Sequence, residues 1–407
     1  MDKDFESKVE EILTRGVSEV IDREHLKKCL LKGEKLRIKH GVDPTTPDLH
    51  LGYAVVYRKL KQLQDLGHQI VFLIGDFTGR FGDPTDREKI REMKKKEDVK
   101  ELAKNYINQL GKILDIKKVE VRHNGEWYDK MSAEELLKLM SKFTTRRMLE
   151  RDMFKERDRK GLEIGLHEPV YPVLQGYDSV MLKSDLTVIG SDQKFNELQG
   201  RKIQEIYGQE PQDIIIMPVL AGTDGKQKMS QSLGNYIGLT EDSDQMFGKI
   251  MSIPDTSITN YYELCTDVPM ESIKKIEKDM KSGKLNPRDA KLDLAQEIVK
   301  IYHGEDNAKK AREYFIKTFS ERKTPENIPE QVIEWVEAYN AHQNVMDFMV
   351  SAKLATSRSD ARRKIEQGGV SIDGKKVIAG ELILTPEIYD GKVVKVGKIH
   401  FVKIKFK

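Results

Sequence analysis

Two short segments that lie far apart in the sequence contain the side chains best suited to chemistry. Residues 43–53 read DPTTPDLHLGY and contain His50 and Gly52, while residues 228–232 read KMSQS and begin with Lys228. A histidine at the start of a helix can donate a hydrogen bond where the helix dipole already favours anions. Combined with a lysine on a distant mobile loop, it suits a site that binds the phosphates of ATP. The histidine segment alone is a weak signal, because a surface or capping histidine is the commoner case.

The composition is that of an ordinary globular protein with a polar surface. The 407 residues, of which 38% are hydrophobic and 34% charged, have room for two or three domains. The sequence contains no run of about 18 apolar residues, the length that a membrane span requires. The acidic, polar N-terminus differs from a signal peptide. Two cysteines, Cys29 and Cys265, are too few for a four-cysteine zinc site or a disulfide framework. We therefore expect a cytoplasmic protein with no bound zinc, no other metal site and no membrane contact.

The first half of the chain alternates between strand and helix patterns. Residues 36–42 predict a strand, and residues 49–66 predict a helix that ends at Gly67. The short, continuously apolar run at 70–74 is typical of a parallel strand that is covered on both faces, and residues 186–189 and 214–217 predict two more such strands. This order predicts an α/β fold with right-handed crossovers and a nucleotide crevice at the carboxyl ends of the strands.

The middle of the chain has helical rather than strand-like patterns. Residues 85–165 are charged and helical, and their basic run at 91–96 is most simply a solvated helix face. Residues 240–325 also carry helical patterns. Prolines near residue 325 mark a linker, although a helix within it is indicated by Val332, Trp335 and Val336.

The C-terminal part combines a basic helix with a hairpin. A helix face at 345–352 precedes a second helix from Ser359, its expected N-cap, to Gln367. Residues 370–377 then predict a hairpin that turns at Asp373 and Gly374. The net charge of +3 is too small to predict nucleic-acid binding by the whole surface, so RNA contact requires a local patch. Such a patch is formed on the second helix by Arg358, Arg362, Arg363 and Lys364.

These segments resemble a known enzyme family. The segment around His50 and the loop at Lys228 are similar to the two signature motifs of the class I aminoacyl-tRNA synthetases. Residues 171–178, YPVLQGYD, and 190–193, GSDQ, resemble the amino-acid pocket of bacterial tyrosyl-tRNA synthetases. The C-terminal residues are similar to an S4 RNA-binding domain. The resemblance covers nearly the whole chain.

The resemblance implies an architecture and an activity. It implies a Rossmann-like catalytic domain at 1–235, an α-helical anticodon-binding-type domain at 236–325, a linker at 326–343 and a small α+β S4 domain at 344–407. The implied enzyme is a tyrosine–tRNA ligase that activates L-tyrosine with ATP, accompanied by Mg²⁺, and transfers the tyrosine to tRNA(Tyr). It also implies a homodimer whose interface is formed by an insertion at 115–185.

The same resemblance gives roles to individual side chains. Catalytic roles are expected for His50, Lys228, Thr45 and Gln193. ATP is expected to contact Asp43, Pro44, Thr45, His50, Gly52, Tyr53, Asp192, Lys228, Met229, Ser230 and Ser232. Tyrosine is expected to contact Asp83, Tyr171, Gln175, Asp178 and Gln193, with its phenolic hydroxyl donating to Asp178. RNA is expected to contact the four basic residues of the second C-terminal helix.

The chain departs from the family pattern at three positions. Tyr53 stands where a second histidine is usual, and Gln231 stands where the mobile loop usually has a second lysine. The loop therefore has one positive charge fewer for pyrophosphate. Many tyrosyl enzymes place a tyrosine on the first strand to share the phenol with the aspartate, and Lys39 occupies that position. On this basis Asp178 carries most of the discrimination for tyrosine.

Three alternatives compete with this interpretation. A tryptophanyl-tRNA synthetase shares the fold, but Gln175 and Asp178 stand in tyrosyl context and the tail resembles S4. A non-catalytic RNA-binding relative would explain Tyr53 and Gln231, but it would not need His50, Lys228, Asp178 and Gln193 together. A small adenylyltransferase would explain neither the helical region nor the tail.

Overall fold

The computed structural model describes residues 3–44, 48–84, 95–320, 328–334, 344–378, 382–397 and 400–407. Its contacts divide the chain into two compact units, Met1–Ala308 and Lys309–Lys407. Thr45, Trp335 and Val336 lie outside the described residues, as does most of the basic run at 91–96. Among the helices of the described ranges, none combines the length and the apolar character that a membrane span requires.

A six-stranded sheet forms the centre of the first unit. Its strands are β1 (Glu19–Ile21), β2 (Arg37–Val42), β3 (Gln69–Ile74), β4 (Glu120–His123), β5 (Leu186–Gly190) and β6 (Asp213–Met217). They lie in the order β1-β6-β5-β2-β3-β4. All neighbours are parallel except β1, which pairs with β6 in the antiparallel direction. The apolar runs in β3, β5 and β6 are buried, because helices cover both faces of the sheet. The predicted parallel α/β sheet is confirmed.

Helices surround this sheet and continue beyond it. The helices of the first unit are α1 (Lys3–Thr14), α2 (Arg23–Lys32), α3 (Leu51–Asp65), α4 (Thr78–Phe81), α5 (Lys96–Leu110), α6 (Gly125–Tyr128), α7 (Ala133–Met140), α8 (Thr145–Met148), α9 (Asp152–Arg159), α10 (Tyr171–Leu182), α11 (Lys194–Ile206), α12 (Ser243–Met251), α13 (Ile258–Cys265), α14 (Met270–Lys281) and α15 (Pro287–His303). Single 3₁₀ turns occur at Ile116–Lys118, Glu168–Val170, Ser191–Gln193 and Asp255–Ser257. Helix α16 (Glu305–Phe315) contains the boundary at residue 308, and a π-helical turn follows at Ile316–Ser320.

The second unit is a smaller α+β fold. Its strands are β7 (Glu330–Ile333), β8 (Val370–Ile372), β9 (Lys375–Lys376), β10 (Val393–Val396) and β11 (His400–Phe406), and its helices are α17 (Val345–Ser351), α18 (Arg358–Glu366) and α19 (Pro386–Tyr389). The strands lie in the order β7-β11-β10-β8-β9. The predicted hairpin joins β8 to β9. Both turn residues have positive φ, 44° at Asp373 and 79° at Gly374, as a tight hairpin turn requires.

Two local predictions for this region are wrong. Val332, expected in a helix of the linker, lies in β7, which pairs in parallel with the last strand, β11. The alternating exposure along β7 is that of a strand, and its partner lies too far along the sequence for a local pattern to reveal it. The N-cap of the basic helix is Ser357 rather than Ser359, because the Ser357 hydroxyl accepts a hydrogen bond from the Asp360 N–H.

Candidate active site

A crevice of about 1060 Å³ opens at the carboxyl ends of the parallel strands. Its walls include the residues that end or follow β2, β3, β5 and β6, which is where an open parallel sheet binds ligands. Almost every residue expected from the sequence to contact ATP or tyrosine lines it. These are Asp43, His50, Gly52, Tyr53, Asp83, Tyr171, Gln175, Asp178, Asp192, Gln193, Lys228, Met229, Ser230 and Ser232.

His50 is the N-cap of α3 and is held in one orientation. Its Nδ1 accepts a hydrogen bond from the Gly52 N–H at 3.2 Å. Burial, assisted by the charge of Lys228, lowers the pKa of His50 to about 4. The ring is therefore neutral at pH 7, and because Nδ1 is the acceptor, the proton lies on Nε2. A Cβ at residue 52 would meet Nδ1 at 2.9 Å, so glycine is required for this close approach.

The lysine loop is joined to the start of α3 by backbone contacts. His50 forms a β-bridge with Gly238, and the Leu51 N–H donates to the Ile237 carbonyl. Within the loop, Asn235 accepts from the Ser230 N–H and donates to the Lys228 carbonyl. These bonds bring together the two segments that the sequence places far apart. Lys228 Nζ donates to Asp192 Oδ2 at 2.6 Å, so the loop lysine also lies beside the end of β5.

The two unusual residues of these motifs have defined partners. The ring of Tyr53 packs on the imidazole of His50, with 4.4 Å between ring centroids. Burial raises the pKa of the Tyr53 hydroxyl, which keeps it neutral. The amide of Gln231 donates to the Asp48 carbonyl at 2.7 Å. Gln231 thus links the lysine loop to the segment that precedes His50.

Asp178 is buried at one end of the crevice and is 2% exposed. Trp127 Nε1 donates to its Oδ1 at 3.0 Å, and Asn124 Nδ2 donates to its Oδ2 at 3.4 Å. Burial raises the pKa of Asp178 to about 7, while the charge of Lys39 and the bonds from Asn124 and Trp127 act in the opposite direction. A carboxylate held in this way is suited to accept a hydrogen bond from a buried hydroxyl.

Three of the remaining polar residues expected around tyrosine, Asp83, Gln175 and Gln193, belong to one hydrogen-bond network. Gln193 donates to Asp83 at 2.8 Å, and the Asn196 amide donates to the side-chain oxygens of Gln175 at 2.9 Å and Gln193 at 3.0 Å. A separate bond connects Tyr171 to the ATP side, because its hydroxyl donates to Asp43 Oδ2 at 2.8 Å. The expected pocket residues are therefore brought together and oriented by one another.

Comparisons with known proteins agree with this geometry. Residues 31–320 match the family described as tRNA synthetases class I (W and Y), and residues 326–402 match a tyrosine–tRNA ligase SYY-like C-terminal domain. A tyrosine–tRNA ligase of Thermotoga maritima is 48% identical over 393 residues, covering 97% of this chain and 96% of the relative. One from Carboxydothermus hydrogenoformans is 48% identical over 400 residues, covering 97% of each chain.

The chain belongs to the class I tyrosyl-tRNA synthetases. The predicted family, fold class and enzyme class are thereby confirmed, and the tryptophanyl, non-catalytic and adenylyltransferase alternatives are excluded.

Solved structures of the same family share the fold. The crystal structure of a C-terminally truncated mitochondrial tyrosyl-tRNA synthetase of Aspergillus nidulans is 25% identical with a TM-score of 0.65, covering 78% of this chain and 98% of its own. The tyrosyl-tRNA synthetase of Archaeoglobus fulgidus, complexed with L-tyrosine, is 24% identical with a TM-score of 0.61, covering 76% of this chain and all of its own.

Several residues that line the crevice or support its lining were not anticipated from the sequence. Asn124 and Trp127 orient Asp178, Asn196 joins two expected pocket residues, and Glu197 forms a buried ion pair with Lys39. One signal was available, because a lysine inside a strand that is otherwise covered requires a buried anionic partner. The identity of that partner depends on the packing of α11 against the sheet.

The basic residues expected to contact RNA all lie on α18 in the second unit. Arg358 pairs with Asp347 at 3.2 Å, and Arg363 pairs with Asp360 at 2.6 Å. Lys364 contacts Asp360 at 2.8 Å and donates to the Leu354 carbonyl. Arg362 is exposed. The patch therefore exists, but Lys364 also has a structural contact.

Proposed function

We propose that the crevice forms tyrosyl-adenylate from tyrosine and ATP, and that the enzyme then transfers tyrosine to the 3′-terminal ribose of tRNA(Tyr). The observation that supports this most directly is the pairing of two distinct ends within one crevice. One end has the neutral, oriented His50 beside Lys228, and the other has the buried carboxyl of Asp178. Phosphate chemistry suits the first end, and recognition of a buried hydroxyl suits the second.

Adenylate formation requires charge stabilisation more than covalent catalysis. The tyrosine carboxylate attacks the α-phosphorus of ATP and pyrophosphate leaves, so negative charge increases on the leaving group. Lys228 supplies a positive charge and His50 a neutral donor, with further hydroxyl donors from Ser230 and Ser232. Mg²⁺ accompanies ATP as part of the substrate. Thr45, Pro44 and Met229 complete the proposed ATP site by family resemblance, with Thr45 as a further catalytic residue.

Tyrosine is held at both of its ends. Asp178 accepts from the phenolic hydroxyl, while Tyr171, Gln175 and Asp83 surround the ammonium group. Gln193 lies near the reacting carboxylate, where it positions this group for attack. Asp192 is placed near the ribose of ATP, next to Lys228.

Larger-scale features of the enzyme are proposed on the same basis. We assign catalysis to residues 1–235, anticodon-type contacts to the helical residues 236–325, and RNA positioning to the S4-like module at 344–407. A homodimer through residues 115–185 is supported by Leu137 and Leu166, which are 63% and 91% exposed. The enzyme is expected to work in the cytoplasm, where tRNA is charged.

The decisive test is amino-acid-dependent exchange of labelled pyrophosphate into ATP. Each of the twenty amino acids is offered separately to the full-length protein. Tyrosine alone should support rapid exchange. Exchange that depends on another amino acid, or no exchange with tyrosine, would contradict the proposal.

Replacing Gln231 by lysine should leave the rate of tyrosyl-adenylate formation unchanged or raise it by up to about tenfold. A lysine can keep the bond to the Asp48 carbonyl, which the Gln231 amide makes at 2.7 Å, and it restores a positive charge near pyrophosphate. Single-turnover measurement of adenylate formation gives the rate. Gln231→Met, which removes the donor without adding charge, is the matched control. A large loss in Gln231→Lys would mean that the loop works differently.

Replacing Arg362 by alanine should weaken tRNA binding and reduce its salt dependence by about one unit of log–log slope, as expected for one lost phosphate contact. Binding of tRNA(Tyr) is measured at several salt concentrations. Lys364→Ala should alter the slope less, because Lys364 already contacts Asp360 and the Leu354 carbonyl. Tyrosine-dependent pyrophosphate exchange should be unchanged in both variants. An unaltered slope in Arg362→Ala would contradict the assignment of α18.

A further inference from the structure

Lys39 is a charged residue in the interior of the first unit. It lies on β2, is 1% exposed, and lines the crevice. Its ammonium donates to the Ser179 hydroxyl at 2.7 Å and to the two carboxylate oxygens of Glu197 at 3.0 and 2.8 Å. These three bonds use all the donors of an ammonium group.

Glu197 connects this lysine to other parts of the pocket. It is 2% exposed and also accepts from the amides of Gln175 and Gln212, each at 2.8 Å. Gln175 belongs to α10, the helix that also carries Asp178 and Ser179. The ion pair therefore contacts α10 at two places, one beside the proposed phenol acceptor and one at a proposed ammonium ligand.

The position of the pair indicates a role beyond stability. A buried ion pair is often no more stable than a well-packed apolar replacement, because both ions lose their hydration. Like Glu197, Asp178 is a carboxyl buried in the interior of the first unit, and burial disfavours its charged form. The charge of Lys39 is the strongest influence in the opposite direction, ahead of the hydrogen bonds to Asp178. The ionised carboxyl is also the stronger acceptor for a phenol.

We propose that Lys39 and Glu197 form a positioning pair of the tyrosine pocket, in which Lys39 supplies a positive charge that favours the Asp178 carboxylate and Glu197 holds Lys39 and Gln175 in place. This inference rests on the proposed function, since it assigns the phenol to Asp178. Both residues act through Asp178 and Gln175. The pair takes the place of the shared phenol contact that a tyrosine at position 39 would make.

Three other buried titratable groups of the pocket keep one charge state near neutral pH. Burial raises the pKa values of Tyr128, on α6, and Tyr171, on α10, well above the usual range for tyrosine. Burial lowers the pKa of His40, on β2, to about 4, so its ring is neutral. The pKa of the buried Asp178 carboxyl, by contrast, lies near 7, so its ionisation should shape the pH dependence of tyrosine capture.

The test compares the wild type with a double variant, Lys39→Gln with Glu197→Gln, which removes both charges and keeps groups able to form hydrogen bonds. Pyrophosphate exchange gives kcat and kcat/KM for tyrosine and phenylalanine between about pH 6 and pH 8.5, where kcat/KM reports ionisations of the free enzyme. In the wild type, kcat/KM for tyrosine should rise with pH as Asp178 ionises. In the double variant we expect this rise to occur about one pH unit higher, so that kcat/KM for tyrosine at pH 7 is about fivefold lower than in the wild type. The difference should close towards pH 8.5, and kcat should change little.

Phenylalanine and a second ion pair provide controls. Phenylalanine shares the ammonium and carboxylate of tyrosine but lacks the hydroxyl, so its pH profile should not shift. Arg157 and Glu168 form another buried pair, with 2.8 Å between Nη1 and Oε1, that does not line the crevice. The double variant Arg157→Gln with Glu168→Gln removes the same number of charges and should keep the wild-type profile for tyrosine.

The outcomes separate this inference from the proposed function. A profile of the Lys39 and Glu197 variant that coincides with the wild type overturns the inference, and so does a loss that is equal at every pH. Asp178→Asn is measured alongside them. If the wild-type rise persists in Asp178→Asn, then Asp178 is not the phenol acceptor and that part of the proposed function fails. If the rise disappears in Asp178→Asn but does not move in the double variant, only the positioning pair is wrong.

Discussion

Replacing Lys228 by alanine is expected to slow tyrosyl-adenylate formation by about 10²–10³-fold, as for the removal of one preorganised donor from a charge-stabilising site. Lys228 should interact most strongly with the phosphates while charge moves onto pyrophosphate. The affinity for tyrosine should therefore change little, because interactions confined to the transition state alter the rate rather than ground-state binding. Single-turnover kinetics with saturating ATP and tyrosine measure the rate, and equilibrium titration measures tyrosine affinity.

Lys226 offers a matched control in the same loop. It is exposed and does not line the crevice, whereas Lys228 contacts Asp192 at 2.6 Å. Lys226→Ala removes the same charge from the loop and should leave adenylate formation close to the wild-type rate. His50→Ala should reproduce the effect of Lys228→Ala. An unchanged rate in Lys228→Ala would overturn the assignment of the phosphate site.

Replacing Asp178 by alanine is expected to reduce discrimination between tyrosine and phenylalanine. A site that hydrogen-bonds a substrate hydroxyl rejects the analogue without it by about 10⁴–10⁵, a magnitude known from this enzyme family itself. Loss of one hydrogen bond to a charged group should by itself reduce this factor by at least about 10- to 100-fold. The ratio of kcat/KM values for the two amino acids in pyrophosphate exchange measures the effect.

In Asp178→Ala, the decrease in kcat/KM should occur almost entirely for tyrosine. Phenylalanine has no hydroxyl to donate, so its kcat/KM should change much less in the same variant. Trp127→Phe, which removes the 3.0 Å bond to Asp178 Oδ1 but keeps the carboxyl, should give a smaller loss of discrimination. Full selectivity in Asp178→Ala would mean that another residue recognises the phenol.

Features with a local physical cause were accessible from the sequence. The strands β3, β5 and β6 contain short, mainly apolar runs, and such runs are typical of strands that are covered on both faces. The hairpin turn needs positive φ at Asp373 and Gly374, which this pair of residues accepts at low cost. His50 and Lys228 were recognisable because their neighbours in the sequence match the family motifs.

Features that depend on long-range packing were decided only by the tertiary structure. Strand β7 pairs with β11, which is far along the chain, and its four residues carry no signal of that partner. The ionisation of Asp178 depends on burial and on Lys39, Asn124 and Trp127, none of which lies near it in the sequence. Residue types determine which groups can ionise or donate. The three-dimensional arrangement decides which of them lose water and which partners compensate that loss, and these two quantities set the chemistry of the pocket.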